Sequence, residues 1–254
     1  MGVVSGVTMR EPMRGVGAEP TIRVQQLLPG FEVNDDTDFA SFYAPEPLSM
    51  VKTCLQQWVG NQQTDFIYLS GASSTGKSHL LQAIAHTVLD SGRRSAYLPL
   101  SELLLHNTPS VLARMATLDC VCIDELDVLS GRSDWQEALF ALFNQRLDAN
   151  LPLCFAAEMP ATLVAIELGD LQSRLASCLS FQLPILADEE KIRMLQFRAD
   201  RRGMDINASC AEFILQHSAR SSEALVEVLD TLDQQSLLAG RKITVPFLKS
   251  VFGW

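Results

Sequence analysis

The chain has 254 residues, 47% of them hydrophobic, enough for one large α/β unit or for a core unit with a small satellite. Its 20 basic and 30 acidic residues give a formal charge of -10, which argues against a broad duplex-binding surface, because such a surface needs clustered cations to displace counterions. No apolar run has signal-peptide character or approaches the roughly 20 residues of a membrane span, so a cytoplasmic protein is expected.

Residues 1–34 mix Gly, Pro, Met and isolated charges without periodicity and read as a loosely attached tail. Within it the run Gln25-Gln26-Leu27-Leu28-Pro29-Gly30-Phe31 is more apolar than its surroundings. Exposed apolar peptide is costly, so this segment either meets a partner groove or packs back on its own domain.

From residue 47 helical and strand-like stretches alternate. Helices are predicted over 47–59, 77–91, 111–117 (the weakest), 135–147 and in pieces between 161 and 176, and strands over 66–70, 96–98, 120–123, 153–157 and 179–183. Strands this apolar are expected to be buried on both faces, as in a doubly wound parallel five-stranded sheet covered by helices. After Pro184 the strands stop. Helical spacing over 188–202, 208–217, 221–238 and 245–252 predicts a small all-α bundle, with Leu225, Val228, Leu229 and Leu232 on its inner face. The expected division is a tail over 1–34, an α/β domain over 35–184 and a helical domain over 185–254.

Six cysteines stand without a C-x-x-C pair, most of them in apolar runs such as Cys120-Val121-Cys122-Ile123, and are expected to be reduced core residues rather than metal ligands.

The string Gly71-Ala72-Ser73-Ser74-Thr75-Gly76-Lys77-Ser78 is a full G-x-x-x-x-G-K-S placed after a predicted strand and opening a predicted helix. In that setting the glycines let successive N–H groups point inward at phosphate oxygens, and the helix adds the positive end of its dipole. Lys77 is expected at the β- and γ-phosphates of ATP or ADP, and the Ser78 hydroxyl on Mg²⁺. The strand at 120–123 ends in Asp124-Glu125. A carboxylate there faces the ligand crevice of an open α/β sheet, so Asp124 is expected to hold the Mg²⁺, and Glu125 to orient and deprotonate an attacking water. The alternative for both is a solvated acidic pair in a loop.

The extra strand between the two motifs resembles the additional-strand ATPases, which include the AAA+ proteins. The helical bundle resembles the AAA+ lid. Four strings narrow the resemblance: Asp35-Asp36-Thr37-Asp38-Phe39-Ala40-Ser41-Phe42, Trp135-Gln136-Glu137-Ala138-Leu139-Phe140 with Phe143-Asn144, Asp170-Leu171-Gln172-Ser173-Arg174-Leu175, and Arg241-Lys242-Ile243-Thr244-Val245-Pro246-Phe247. Together they resemble the Hda family, bacterial regulators of the replication initiator DnaA, over about residues 26–252.

The resemblance implies an AAA+ P-loop NTPase without the DNA-reading helix-turn-helix of DnaA, and therefore no sequence-specific DNA binding of its own. It implies that Gln26, Leu27 and Phe31 dock into the sliding clamp of the DNA polymerase; Pro29-Gly30 departs from the usual order of that motif. It makes Arg174 an arginine finger offered in trans to ATP held by DnaA, the alternative being an ordinary salt-bridge arginine. The implied function is regulatory inactivation of DnaA by promoting hydrolysis of its ATP, which prevents re-initiation of DNA replication. In that role the chain mainly activates a partner's ATPase, with weak hydrolysis of its own and with homo-oligomerisation left open.

Two positions depart from the family pattern. Glu223 stands where the second sensor arginine would fall, with Arg220 the nearest arginine, and at the end of the fourth strand only Glu158 is polar. Phe39, Phe42 and Tyr43 either wall the adenine or pack in the core. The competing readings are an autonomous ATPase such as a DnaC-like helicase loader, favoured by the intact set Lys77, Ser78, Asp124 and Glu125, and a recruiting tether without catalysis.

Overall fold

The computed structural model describes residues 37–239 and 242–254. The tail segment with Gln26, Leu27 and Phe31 lies outside the described residues. The chain runs through α1 (Leu48–Gly60), β1 (Ile67–Ser70), α2 (Lys77–Asp90), β2 (Ser95–Pro99), α3 (Leu100–His106), β3 (Cys120–Asp124), α4 (Ser133–Asp148), β4 (Leu153–Ala157), α5 (Gly169–Ala176) and β5 (Leu179–Gln182). The helices α6 (Asp188–Arg201), α7 (Ala208–His217), α8 (Ser222–Ala239) and α9 (Val245–Phe252) follow. Among the described residues no helix is long and apolar enough to cross a membrane.

The five strands are parallel in the order β2-β3-β4-β1-β5, with Ile67 opposite both Cys154 and Leu179. Both faces of the sheet carry core. On one, Phe66, Tyr68, Ile123 and Phe155 pack with Leu139 and Phe143 of α4; on the other, Ile67, Leu69, Cys122 and Cys154 pack with Leu80, Leu81 and Ile84 of α2. A third cluster, built from Leu195, Ile214, Leu225, Leu229, Leu232 and Leu248, lies within the helical bundle.

The structure departs from the sequence expectations in five places. The strand β5 is not buried on both faces: it is an edge strand, and Leu179 at its start is 50% exposed. The segment Leu100–His106 is a helix that apolar spacing alone did not reveal, because it is only two turns long. The weak helix of 111–117 is a 3-10 turn over Pro109–Met115, and regular helix before the last strand begins only at Gly169. Cys54 is exposed, whereas the other five cysteines are buried.

Arg146 near the end of α4 is fully buried, the largest such side chain among the described residues. Its guanidinium donates to the carbonyls of Met115 at 2.8 Å, Leu118 at 3.0 Å and Pro152 at 2.5 Å. The planar fork thus joins the 3-10 turn to the entries of β3 and β4, satisfying acceptors that water cannot reach.

The bundle docks over α2 through the segment that precedes α1. The ring of Tyr43 lies 5.6 Å from that of Phe197, and its hydroxyl donates to Glu190 of α6 at 2.5 Å. His79, in the first turn of α2, joins three elements. Its Nε2 lies 2.9 Å from the Asp38 carbonyl and its Nδ1 3.0 Å from Arg198 of α6. A carbonyl only accepts and a guanidinium only donates, so the ring is neutral with its proton on Nε2. Burial first, and the Arg198 charge second, push the His79 pKa from its ordinary 6.5 down to about 4.

Two consequences are measurable. Truncation in Arg146→Ala strands buried carbonyls and is expected to lower unfolding stability by about 3–5 kcal/mol in urea titrations. Because His79 is neutral in the fold, the unfolded chain binds more protons between the two pKa values, so stability is fully present above pH 6.5 and falls as the pH drops toward 4. The loss is on the order of 3 kcal/mol, and a His79→Gln variant compared with the parent by urea unfolding across that range is expected to lack it.

Candidate functional site

The interior strand β1 ends at Ser70, and the chain turns through residues 71–76 into α2, so the phosphate-loop motif occupies the strand-to-helix junction that its spacing predicted. Two of its glycines are required by space. A Cβ on Gly76, whose φ is +93°, would stand 2.7 Å from the Phe42 ring, and one on Gly71 would stand 2.6 Å from the Leu183 carbonyl. Phe39 and Phe42 are core residues, and Phe42 forms the wall against which the loop closes. Tyr43 packs on the helical bundle instead.

Lys77 is buried, and its Nζ donates to the carbonyls of Gly71 at 2.8 Å and Ala72 at 2.9 Å, the loop that it closes upon. Thr75 holds the same turn through its hydroxyl, which donates to the Ala72 carbonyl at 2.9 Å. The loop joins a helix N-terminus to a tethered ammonium, and together these can receive an oxyanion.

Asp124, 2% exposed, lies at the end of β3. One oxygen accepts from the Tyr97 hydroxyl at 2.8 Å and the other from the Glu125 amide at 2.8 Å. Tyr97, which sequence reasoning missed, is also reached by the side chains of Ser78 and Gln82, so its phenol joins Ser78 to Asp124. Burial first, and the Asp124 charge next, raise the Tyr97 pKa far above the ordinary phenol value, and the hydroxyl stays a donor. The only advance signal was its place on the strand beside the acidic one.

Glu125 adopts a left-handed conformation, φ 62°, and its carboxylate accepts from the Ser101 amide at 3.0 Å. That hydrogen bond caps the start of α3. Glu158, at the end of β4, gives its amide to the Asp127 carboxylate at 2.6 Å, and its carbonyl accepts from the Gly71 amide at 3.2 Å. A cavity of about 220 Å³ opens here, lined by Ser73, Lys77, Ser78, Glu125, Asp127, Glu158 and Glu223.

Glu223 comes from the first turn of α8 in the bundle, and its carboxylate accepts from the Ser74 hydroxyl at 2.5 Å. Arg220 points elsewhere, to Asp188 at 2.9 Å. A second cavity of about 510 Å³ lies between the loop and the bundle, bounded by Thr37, His79, Gln82, Arg198, Arg202 and Glu223 among others. Arg198 of α6 and Arg202 just after it gave no motif in the sequence; packing of the bundle brings them to the loop.

Arg174 stands apart. It is exposed on α5, lines neither cavity, and its guanidinium carbon lies 6.0 Å from the centroid of the buried Phe143 ring. The segment entering α5 is fixed by buried Gln136 of α4, whose amide oxygen accepts from the Glu167 amide at 3.1 Å and the Leu168 amide at 2.9 Å. Its nitrogen donates to the Leu129 carbonyl at 2.9 Å and to the Glu167 carboxylate. The structure thus brings Lys77, Ser78, Asp124 and Glu125 together and leaves Arg174 on an outward-facing helix.

The family profile of the bacterial DnaA ATPase domain matches residues 48–185, and that of the Hda lid domain matches residues 188–252. An uncharacterized protein of Haemophilus influenzae is 34% identical over 218 residues, spanning 85% of this chain and 94% of that protein. Domain III of the Thermotoga maritima replication initiation protein DnaA superposes with a TM-score of 0.74 at 16% identity, covering 88% of this chain and 98% of that one. DnaA from Aquifex aeolicus bound to AMPPCP gives 0.65 at 17% identity over 82% of this chain and 68% of that one. The Thermotoga maritima RuvB branch migration motor gives 0.61 at 16% identity over 85% and 73%. At such identities the likeness of the solved structures carries the fold alone, an α/β AAA+ sheet with a helical lid. With one profile over the sheet and the other over the bundle, the chain belongs to the Hda-like family of DnaA-homologous AAA+ proteins.

Proposed function

We propose that this chain is a regulatory inactivator of DnaA: it binds an adenine nucleotide in its own cleft and presents Arg174 in trans to ATP held by DnaA. In this reading the backbone of residues 71–76 and Lys77 hold the phosphates. Ser78 and Asp124 are hard oxygen donors of the kind Mg²⁺ takes, brought together by the Tyr97 phenol. Bound there, Mg²⁺ would neutralise phosphate charge. Gln26, Leu27 and Phe31 anchor the chain to the sliding clamp, so that inactivation of DnaA follows clamp loading and re-initiation is prevented.

The observation that carries the reading is the placement of Arg174. Its guanidinium is exposed, lies outside both cavities beside the chain's own phosphate loop, and is steadied by Phe143 while Gln136 fixes its helix. An arginine so held can reach the γ-phosphate of a docked neighbour and stabilise charge spreading onto it in the transition state. The chain's own cleft is poorly equipped for fast turnover, because Glu223 stands on the phosphate loop where a lid cation would help.

A second reading, an autonomous AAA+ ATPase such as a DnaC-like helicase loader, is favoured by Glu125 lining the smaller cavity beside Lys77 and Ser78. Against it, the Glu125 carboxylate is already engaged by the Ser101 amide at the start of α3.

Hydrolysis of DnaA-bound ATP, measured with clamp-loaded DNA, separates the two. Arg174→Ala is expected to cut the stimulation by about 10³-fold or more while leaving the chain's own nucleotide binding intact. Equal stimulation by variant and parent would remove the finger assignment, and rapid ATP hydrolysis without DnaA would favour the second reading. Lys77→Ala is expected to abolish nucleotide binding by this chain, read by equilibrium dialysis. Deletion of residues 1–31 is expected to abolish clamp binding, and undiminished binding would exclude the tail motif.

A further inference from the structure

Apart from the phosphate loop, the described residues hold one compact group of metal-ligating side chains. Cys120 and Cys122 are two residues apart on β3 and so point to the same face of the sheet, and Cys154 of β4 stands opposite Cys122 in the parallel register. All three are 0–1% exposed, on the face packed against α2. Their sulfur atoms lie within 4.8 Å of one another.

We propose that Cys120, Cys122 and Cys154 form a three-coordinate thiol site for a soft monovalent cation, Cu(I). A trigonal site with metal–sulfur bonds of about 2.3 Å needs sulfur atoms about 4 Å apart, so rotation about the Cα–Cβ bonds suffices to close the cluster and the strands keep their register. The site has three sulfur ligands, and no other His, Cys, Asp or Glu of the described residues joins the cluster. Structural zinc takes four ligands, whereas cuprous ion is satisfied by soft sulfur donors at lower coordination.

A buried cation stands beside the cluster. Arg146 is fully buried, the partners recorded for its guanidinium are the carbonyls of Met115, Leu118 and Pro152, and it acts electrostatically on all three sulfurs. The ligand form is the thiolate, so a cuprous ion on three thiolates carries two net negative charges, one of which the buried arginine offsets. On binding, three thiol protons pass to solvent as three copper–sulfur bonds form, with no change of oxidation state. Because the cluster is sealed beneath α2, loading requires local opening of the fold and is slow.

The test uses the full chain, reduced and kept anaerobic, incubated with cuprous ion supplied from its acetonitrile complex and then desalted. Copper per chain and near-ultraviolet sulfur-to-copper absorption are measured for the parent, for Cys54→Ser at the exposed thiol, and for Cys122→Ala and Cys154→Ala within the cluster. Circular dichroism confirms that each is folded, and alanine keeps the position apolar so that one of the two cluster variants remains informative. The expected result is one retained copper in the parent and in Cys54→Ser, and loss of both copper and absorption in a folded cluster variant. Absence of retained copper in the parent, its disappearance with Cys54, or unchanged binding in a folded cluster variant would each overturn the proposal.

Discussion

Everything chemical in this molecule depends on one constraint, the parallel pairing of β1 between β4 and β5, strands that follow it much later in sequence. Parallel strands all end on the same edge of the sheet, so the turns after β1, β3 and β4 are gathered there however far apart they lie in the chain. Between β1 and β2 the chain must cross to the far side of the sheet, and the crevice opens where the order reverses. The phosphate loop, Asp124 with Glu125, and Glu158 meet in that crevice. Tyr97 joins them because β2 pairs with β3 in a register that sets it opposite Cys122, two residues before Asp124.

The bundle adds a second layer of control. It is attached by polar contacts to the loop, to the helix behind it and to the segment before α1: Glu223 on Ser74, Arg198 on His79, and Glu190 on Tyr43. Each depends on the protonation or orientation of a particular side chain, in contrast to the apolar packing within the bundle itself. Docking of this kind is specific in direction.

The placement of charge separates two regions of the surface. Around the loop, Glu125, Asp127, Glu158 and Glu223 crowd one small cavity with Lys77, a setting in which a bound cation would relieve mutual repulsion. On α5, Arg174 stands exposed over an aromatic ring. That helix is held by a network centred on Gln136, an uncharged side chain that satisfies four backbone or carboxylate partners at once. The aromatic floor and the fixed helix limit the number of positions the guanidinium samples.

What the sequence determined by itself was whatever is written in local pattern. The strands that became β1 to β4 and the helices of the bundle follow from apolar periodicity, and the loop 71–78 follows from its own spacing, because its function needs consecutive backbone groups. Family resemblance singled out Arg174 and Glu223, but not what either touches. Only the tertiary structure decided the rest. It showed β5 to be an exposed edge, since strand order is a property of pairing and not of composition. It showed α3, whose first turn is capped by the distant Glu125. It joined Tyr97 to Asp124, His79 to Arg198, and three cysteines from two strands into one cluster, through contacts between residues whose separation in sequence carries no periodic signal. Local pattern is legible in a single chain because it repeats at the period of a helix or a strand; convergence across elements is not, because it exists only after the sheet has chosen its order.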